Sequence, residues 1–208
     1  MFLSTNIIMD GYKKGIFPMA ESAEDPYVFW VSPDKRGIIE IKNFKVPKSL
    51  KKFLKKTSYS VLVNNNFEKV ISLCAKISKG RTDTWINGQI KENYCKLFSE
   101  GHALSIECYD KNTLIGGLYG VKLGSIFFGE SMFSVKDNAS KVALVYLAAY
   151  LKQGGFKLID TQFLTKHLEQ FGAIEVTKSV YMNILRDNLK NTKKFPLKLS
   201  KTVLDYFI

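Results

Sequence analysis

Three polar residues stand at the ends of apolar, strand-like segments, where their carboxylate and amide groups could form a reaction site. Glu130 follows SIFFG, whereas Asp160 and Gln162 end the segment KLIDTQ. Residues i and i+2 of a strand face the same side, so Asp160 and Gln162 can reach one site together. A buried carboxylate without a partner is costly, and Glu130 therefore needs a partner, a raised pKa or a role. The D-x-Q pattern alone also fits a strand-end carboxylate that caps a neighbouring helix.

The sequence gives little support for several other kinds of site, namely nucleotide-binding loops, nucleophilic triads and metal sites. There is no G-x-x-x-x-G-K-[ST] loop and no G-x-G-x-x-G after a strand, and GGLYGVKLG lies inside a predicted hairpin, where glycines favour close backbone approach. His102 and His167 have no cysteine near them in sequence, which gives a nucleophilic triad or a metal site little support. Both are interpreted as surface or supporting residues. Cys74, Cys95 and Cys108 are odd in number and far apart, which predicts core thiols.

The formal net charge of +12 indicates a polyanionic partner, most often a nucleic acid. Lysine enrichment from genome base composition is the alternative explanation, but the clustering favours phosphate binding. The two clusters are Lys42, Lys45, Lys48, Lys51, Lys52, Lys55 and Lys56, and then Lys190, Lys193, Lys194, Lys198 and Lys201.

A chain of 208 residues with 46% hydrophobic and 24% charged residues is typical of a folded soluble protein. The apolar run VALVYLAAYL is about half the length that a bilayer requires. The N-terminus carries no basic leader followed by an apolar core. We therefore expect a cytoplasmic protein that has no membrane partner.

The elements that must position the polar residues form a strand meander followed by helix, strand and helix. The segments ALSIECYD, TLIGGLYGVKL and SIFFGES are predicted strands, and a long helix follows from a cap at Asn138 to Gly154. KLIDTQ is then a buried strand. This order predicts an α+β fold with helices packed on a mixed sheet. Residues 1–36 are predicted to form a small N-terminal domain and residues 37–208 the larger one.

Six segments occur in an order that is highly specific. They are GYKKGIFPM, WVSPDKRGII, TWINGQIKENYCKLFSEGHALSIE, LIGGLYGVKLGSIFFGESMFS, NASKVALVYLAAYLKQGGFKLIDTQ and HLEQFGA. Together they resemble the bacterial leucyl/phenylalanyl-tRNA–protein transferases over residues 10 to 185. The resemblance implies a trimmed N-terminal domain and a catalytic domain similar to the GCN5-type acetyltransferase fold.

The resemblance also implies the reaction and its partners. Family members move Leu, Phe or Met from aminoacyl-tRNA to the α-amino group of proteins with an N-terminal Arg or Lys. That product enters the N-degron pathway of protein degradation. The resemblance implies no cofactor and no metal, and we expect a monomer. Two alternatives remain at this point, an acetyltransferase-like enzyme that uses an acyl thioester and a non-enzymatic basic RNA-binding module.

The resemblance assigns roles to particular residues. Gln162 would hold the attacking amine through its amide oxygen, Asp160 would orient and polarise Gln162, and Glu130 would meet the cationic acceptor. The aminoacyl pocket would be formed by Leu118, Phe127 and Met132. The site for the terminal adenosine of the tRNA would be formed by Trp85 and Met19. The three pocket residues also fit plain core packing.

Two positions depart from the family pattern. Met19 and Val31 stand where tryptophan is common in the family, in GIFPM and WVSP. We therefore expect the affinity for the tRNA end and the donor preference to differ from those of other members.

Overall fold

The computed structural model describes residues 3–76 and 83–208. Its helices are α1 (Thr5–Lys13), α2 (Lys48–Leu54), α3 (Phe67–Cys74), α4 (Gly88–Ser99), α5 (Ala139–Gln153), α6 (Lys166–Glu169) and α7 (Lys178–Leu189). Its strands are β1 (Phe17–Met19), β2 (Phe29–Val31), β3 (Lys35–Glu40), β4 (Ser60–Val63), β5 (Ala103–Asp110), β6 (Thr113–Leu123), β7 (Ile126–Ser134), β8 (Leu158–Gln162) and β9 (Ile174–Thr177). Short 3-10 turns occupy Ile41–Asn43 and Val203–Phe207.

Within residues 3–76 and 83–208, the main sheet has seven strands in the order β4-β5-β6-β7-β8-β3-β9. Strands β4 to β7 form an antiparallel meander, as the hairpin pattern predicts. Helix α5 then crosses the sheet and returns the chain to β8, which lies parallel to β7. Strands β3 and β9 continue the sheet in antiparallel pairing. This arrangement confirms the predicted α+β class with helices packed on a mixed sheet.

Each face of the sheet carries its own core, because successive strand residues point to opposite sides. Leu118 and Phe127 belong to the first core, which helices α2 and α5 cover. Their neighbours Tyr119 and Phe128 belong to the second core, where side chains of α1, α3, α4 and α7 pack. A polar group at an opening between two strands is therefore flanked by both cores.

Glycines in β6 allow the close approach that the sequence predicts. A Cβ atom on Gly120 would lie 2.1 Å from the carbonyl oxygen of Phe128 and 2.6 Å from the ring of Phe127. A Cβ atom on Gly116 would lie 2.5 Å from the Cβ atom of Ala139 at the start of α5. Larger residues at either position would push the hairpin or the helix away.

The N-terminal segment packs directly on the main sheet. Strands β1 and β2 form a separate two-stranded sheet, while Ile8 and Tyr12 of α1 and Phe17 of β1 are buried in the second core. The domain boundary after residue 36 stays a prediction, and β3 of the main sheet spans Lys35–Glu40 across it.

The predicted cap of the long helix is wrong in one detail. Asn138 has a φ of 63° and makes no side-chain capping hydrogen bond. Instead, the Ser134 hydroxyl accepts the backbone N–H of Ser140 at 3.2 Å. Asn66, in contrast, caps α3, since its side chain accepts the N–H of Lys69. Within residues 3–76 and 83–208, the helices are too short or too polar to cross a bilayer.

Candidate active site

The sheet opens between β7 and β8. These parallel strands pair only over Ile126–Phe128 and Leu158–Asp160, and their chains then separate. Glu130 and Gln162 lie just past the last paired residues, one on each strand. Side chains rather than backbone groups therefore connect the two strands at this opening.

A β-bulge places Glu130 at the opening. Tyr119 of β6 pairs with Ser131, and Gly120 pairs with Gly129, so Glu130 is the additional residue between two regular pairs. Such a bulge re-aims a side chain and ends regular pairing. The strand pattern of β7 predicted the position of Glu130 but not the bulge that directs it.

A second irregularity lies opposite, in β8. Gly37 of β3 pairs with Gln162, and Ile38 pairs with Asp160, so Thr161 is left between them. Gln162 takes a φ of 63°, which non-glycine residues seldom adopt. Asp160 therefore contacts the backbone of Gln162 across this bend rather than through the regular i, i+2 geometry of a strand, and their action at one site stays a prediction.

Gln162 is held by both of its nitrogen atoms. Its backbone N–H donates to Oδ1 of Asp160 at 2.8 Å, and its Nε2 donates to Oε1 of Glu130 at 3.1 Å. Within the described residues, no protein donor reaches the amide oxygen Oε1. The residue is 7% exposed, so its carboxamide is oriented and largely shielded from water.

Asp160 is fully buried and accepts hydrogen bonds on both carboxylate oxygens. Arg36 approaches it in bidentate fashion, with Nε 2.9 Å from Oδ1 and Nη2 2.8 Å from Oδ2. The Tyr181 hydroxyl donates to Oδ2 at 2.5 Å. Burial and the Asp160 charge raise the pKa of Tyr181 far above its usual value. Asp160 therefore contacts the backbone of Gln162 and has no direct contact with its carboxamide.

Arg36 is itself 1% exposed and enclosed by aromatic rings. Its guanidinium carbon lies 4.6 Å from the ring centre of Phe17 and 4.7 Å from that of Tyr181, within cation–π distance. Its Nη1 donates to the carbonyl of Gly15 at 3.2 Å. Burial acts to lower the pKa of Arg36, but the charge and hydrogen bonds of Asp160, with smaller contributions from Tyr181 and Glu130, together raise it.

Glu130 is 8% exposed and contacts three protein donors. The Tyr12 hydroxyl lies 2.7 Å from Oε1, the Tyr94 hydroxyl lies 3.1 Å from Oε2, and Nε2 of Gln162 lies 3.1 Å from Oε1. Burial raises the pKa of Glu130 to about 7, although these hydrogen bonds act to lower it. Burial and the Glu130 charge also hold the pKa values of both tyrosines well above their usual range.

A mainly apolar cavity of about 250 Å³ lies beside Glu130, on the α5 side of the sheet. Its wall includes all three residues predicted for the aminoacyl pocket, together with residues of α5, β8 and the α6 region: Leu118, Phe127, Met132, Leu144, Leu147, Ile159, Thr161 and Leu168. Leu118 and Phe127 are also buried members of the first core, so they serve packing in either case. Asp160 and Gln162 lie outside this wall.

Met19 and Trp85 come together at another place. The backbone N–H of Ala20, next to Met19, donates to the carbonyl of Trp85 at 3.1 Å. Both side chains are half-buried at the border of the second core. Val31 pairs with Phe17 across the two-stranded sheet.

The two lysine clusters also converge. Lys51 of α2 donates to the carbonyl of Phe207 at 3.4 Å, while Lys55 and Lys201 line one groove. Apart from Lys51 and Lys193, the lysines of both clusters are exposed. The sequence places the clusters about 140 residues apart, but the structure brings Lys51 and Lys55 of the first close to the chain end that carries Lys201.

Sequence reasoning missed the residues that hold Glu130 and Asp160, namely Tyr12, Tyr94, Arg36 and Tyr181. Arg36 carried a usable signal, since it is one of three arginines among 31 basic residues and precedes an apolar strand. Arginine is the residue best suited to a buried bidentate ion pair. The tyrosines carried no comparable signal.

The supporting role of His167 stays a prediction. The residue lines the cavity, and its Nε2 atom is buried without a hydrogen-bond partner among the described residues. Burial and the nearby Lys141 charge lower its pKa.

Comparison with known proteins identifies the family of this chain. The family model described as leucyl/phenylalanyl-tRNA protein transferase matches residues 38–186, and the model for its N-terminal domain matches residues 1–34. A leucyl/phenylalanyl-tRNA–protein transferase of Rhodopseudomonas palustris (strain TIE-1) is 48% identical over 193 residues. That alignment covers 93% of this chain and 86% of the relative.

Two solved structures are similar only at TM-scores below 0.5. A functionally unknown conserved protein from Staphylococcus epidermidis has a TM-score of 0.45 and 10% identity, covering 84% of this chain and 65% of the other. L-PGS from Bacillus licheniformis has a TM-score of 0.48 and 11% identity, covering 90% and 70%. The family models and the 48% identical relative are decisive, and the chain belongs to the leucyl/phenylalanyl-tRNA–protein transferase family.

Proposed function

We propose that this enzyme transfers leucine, phenylalanine or methionine from aminoacyl-tRNA to the α-amino group of proteins that begin with Arg or Lys. The product would carry a new N-terminal residue that marks it for degradation. The observation that carries this proposal is the family match across residues 38–186, which contain the opening between β7 and β8. The acceptor specificity and a monomeric, cytoplasmic enzyme are part of the proposal.

The reaction requires positioning more than activation. An aminoacyl ester is already activated, and an α-amine has a pKa near 8, so a useful fraction is neutral near pH 7. Gln162 would accept a hydrogen bond from the attacking amine at Oε1, since its nitrogen atoms already serve Glu130 and Asp160. A neutral amide is a poor base, so Gln162 would act as a positioning group. Asp160 would hold the bent backbone of Gln162 in place.

The donor side chain would enter the cavity of about 250 Å³. Leu118, Phe127 and Met132 give it an apolar wall, and the flexible thioether of Met132 suits donors of different shape. Glu130, at the border of the cavity, would meet the positive charge of the acceptor. This arrangement would place donor and acceptor on the two sides of one carboxyl group.

The tRNA would bind through stacking and charge. Trp85 and Met19 would contact the terminal adenosine, and stacking of a base on an aromatic side chain is worth roughly 1–3 kcal/mol. The exposed lysines would contact the phosphates of the acceptor stem without reading its sequence.

The test is a transfer assay with radiolabelled leucyl-tRNA and a peptide that begins with Arg or Lys. Label is expected on the peptide and absent from the same peptide after N-terminal acetylation. A parallel reaction with labelled acetyl-coenzyme A is expected to give no transfer. Failure to label the free peptide with leucine would contradict the proposal.

A further inference from the structure

Tyr12, Tyr94 and Glu130 form a closed ring of three short contacts. The two tyrosine oxygens are 2.5 Å apart, Tyr12 is 2.7 Å from Oε1 of Glu130, and Tyr94 is 3.1 Å from Oε2. Each tyrosine comes from a different helix, α1 or α4, and both are fully buried. Water therefore has little access to supply or remove hydrogen bonds within this ring.

The number of protons in the ring decides the state of Glu130. Each tyrosine hydroxyl has one proton to donate, and an ionised carboxylate has none. Two protons cannot fill three contacts, so an ionised Glu130 leaves one pair of oxygens in contact without a hydrogen bond. A proton on Oε2 completes the ring, because Oε2 then donates to Tyr94, Tyr94 to Tyr12, and Tyr12 to Oε1.

We propose that Glu130 rests as a neutral carboxylic acid, held by Tyr12 and Tyr94, and that it releases its proton when the cationic acceptor binds. The second part rests on the proposed function, in which Glu130 meets the acceptor. No covalent bond changes in this step: the carboxyl O–H bond breaks, the proton passes to solvent, and the carboxylate pairs with the acceptor cation.

The groups that face Glu130 support a neutral resting state. Gln162 on β8 donates one uncharged hydrogen bond, which the neutral acid also accepts. Arg36 on β3 is committed to Asp160, so the nearest buried cation and anion largely cancel. Tyr119 on β6 and His167 on α6 line the same cavity as Glu130, and Tyr181 on α7 bonds to Asp160.

Glu107 offers a matched comparison within the same chain. It is fully buried, and it accepts the N–H of Asn66 and the hydroxyls of Ser105 and Tyr109 at 2.7 to 2.8 Å. Three donors with three protons fill three contacts, so this network closes without a proton on the carboxylate. The difference between Glu107 and Glu130 is the direct contact between the two tyrosine oxygens.

Infrared difference spectroscopy of the free enzyme tests the resting state. At pH 6, subtracting the spectrum of Glu130→Gln from that of the unchanged enzyme should reveal the carbonyl stretch of one neutral carboxylic acid. The same subtraction with Glu107→Gln should reveal no such band. Glu130→Gln should retain the melting temperature, because its amide can donate to Tyr94 and accept from Tyr12. Absence of the band in the first subtraction would overturn the proposal.

Calorimetry without donor tRNA tests proton release. Titrating an Arg-starting peptide at pH 6 in two buffers of different ionisation enthalpy should show release of about one proton per peptide. The pKa of Glu130 is about 7, so acceptor affinity should fall about tenfold for each pH unit below that value. The α-amine of the free peptide is also protonated in this range, so the released proton is assigned to Glu130 only by its loss in Glu130→Gln.

The variants separate the two proposals. Glu130→Gln should release no proton on acceptor binding, whereas Glu107→Gln should release as many as the unchanged enzyme. Acceptor binding without proton release would overturn the coupling. Failure of the leucine-transfer assay would overturn the proposed function, while the infrared band would still report the resting state of Glu130.

Discussion

Gln162 adopts a backbone conformation that is unfavourable for a residue with a Cβ atom. Its φ of 63° lies in the left-handed region, where a Cβ atom is strained by about 1–2 kcal/mol. The residue remains there because its N–H bonds to Asp160 and its carboxamide bonds to Glu130. Strain held by surrounding contacts is common at functional sites.

Two truncations of Gln162 separate strain from function. Gln162→Gly and Gln162→Ala both remove the carboxamide, and both should abolish transfer. Glycine tolerates the positive φ, so the free energy of unfolding of Gln162→Gly should be about 1 kcal/mol higher than that of Gln162→Ala. Urea denaturation measures this difference. Equal stability of the two variants would show that the backbone relaxes without strain.

Asp160 combines a functional position with a structural ion pair. Asp160→Asn would leave the buried Arg36 cation without its anionic partner, and such a loss typically costs about 3–5 kcal/mol. Urea denaturation should show this destabilisation, and transfer rates must therefore be compared per folded molecule.

The matched control for that variant is Asp10→Asn. The Asp10 side chain is 61% exposed and pairs with Lys13 on the surface of α1, so its loss should leave the unfolding midpoint unchanged. A similar effect in both variants would contradict a structural role for the buried pair.

The sequence predicts the polar residues themselves, because Glu130, Asp160 and Gln162 interrupt apolar segments. It does not predict their partners. Tyr12 and Tyr94 occur in amphipathic helices, where an aromatic residue is expected in the core, and only the fold brings their hydroxyls to Glu130.

At the scale of elements, the site depends on bulges at Glu130 and Thr161. Alternation of apolar and polar residues predicts strands and their faces, and it correctly gives β7 and β8. A bulge adds one residue without changing composition, so the same pattern contains no record of it. The opening between the strands is therefore visible only in the pairing register of the folded sheet.

Gly37 of β3 tests how closely the bend in β8 is held. A Cβ atom on Gly37 would lie 2.5 Å from the carbonyl carbon of Phe163 and 2.7 Å from the backbone nitrogen of Leu164. Gly37→Ala must therefore displace the segment that follows Gln162. A shift of about 1 Å can cost up to about 100-fold in rate, so kcat for leucine transfer should fall at least tenfold.

Gly88 provides the control for this substitution. A Cβ atom on Gly88, at the start of α4, has no heavy atom within 4 Å. Gly88→Ala should leave leucine transfer unchanged. Unchanged transfer in Gly37→Ala would mean that the bend can move without loss of function.

At the scale of the whole molecule, the charge of +12 is concentrated where α2 meets the C-terminal segment. The sequence predicts both lysine clusters but not their proximity, which depends on how α2 and the chain end pack on α5. Composition therefore indicated the class of partner, and the fold brings Lys55 of the first cluster and Lys201 of the second to one groove.

Salt dependence tests that surface. Replacing Lys52, Lys55 and Lys56 with glutamine should weaken tRNA binding and reduce the slope of log affinity against log salt by about 2 to 3, if each lysine contacts a phosphate. Filter binding of tRNA at several salt concentrations measures the slope. Arginine at the same three positions keeps the charge and should keep the slope. An unchanged slope in the glutamine variant would place the tRNA elsewhere.

The N-terminal segment supplies Tyr12, and the chain between the two family matches supplies Arg36. Their partners, Glu130 and Asp160, lie more than 90 residues further along. Segments that share one site in this way cannot be exchanged independently between relatives. A chimera that takes residues 1–34 from another member must therefore supply a hydroxyl group at position 12 to bond Glu130. Recombination points within β3 would separate Arg36 from the neighbours that enclose it.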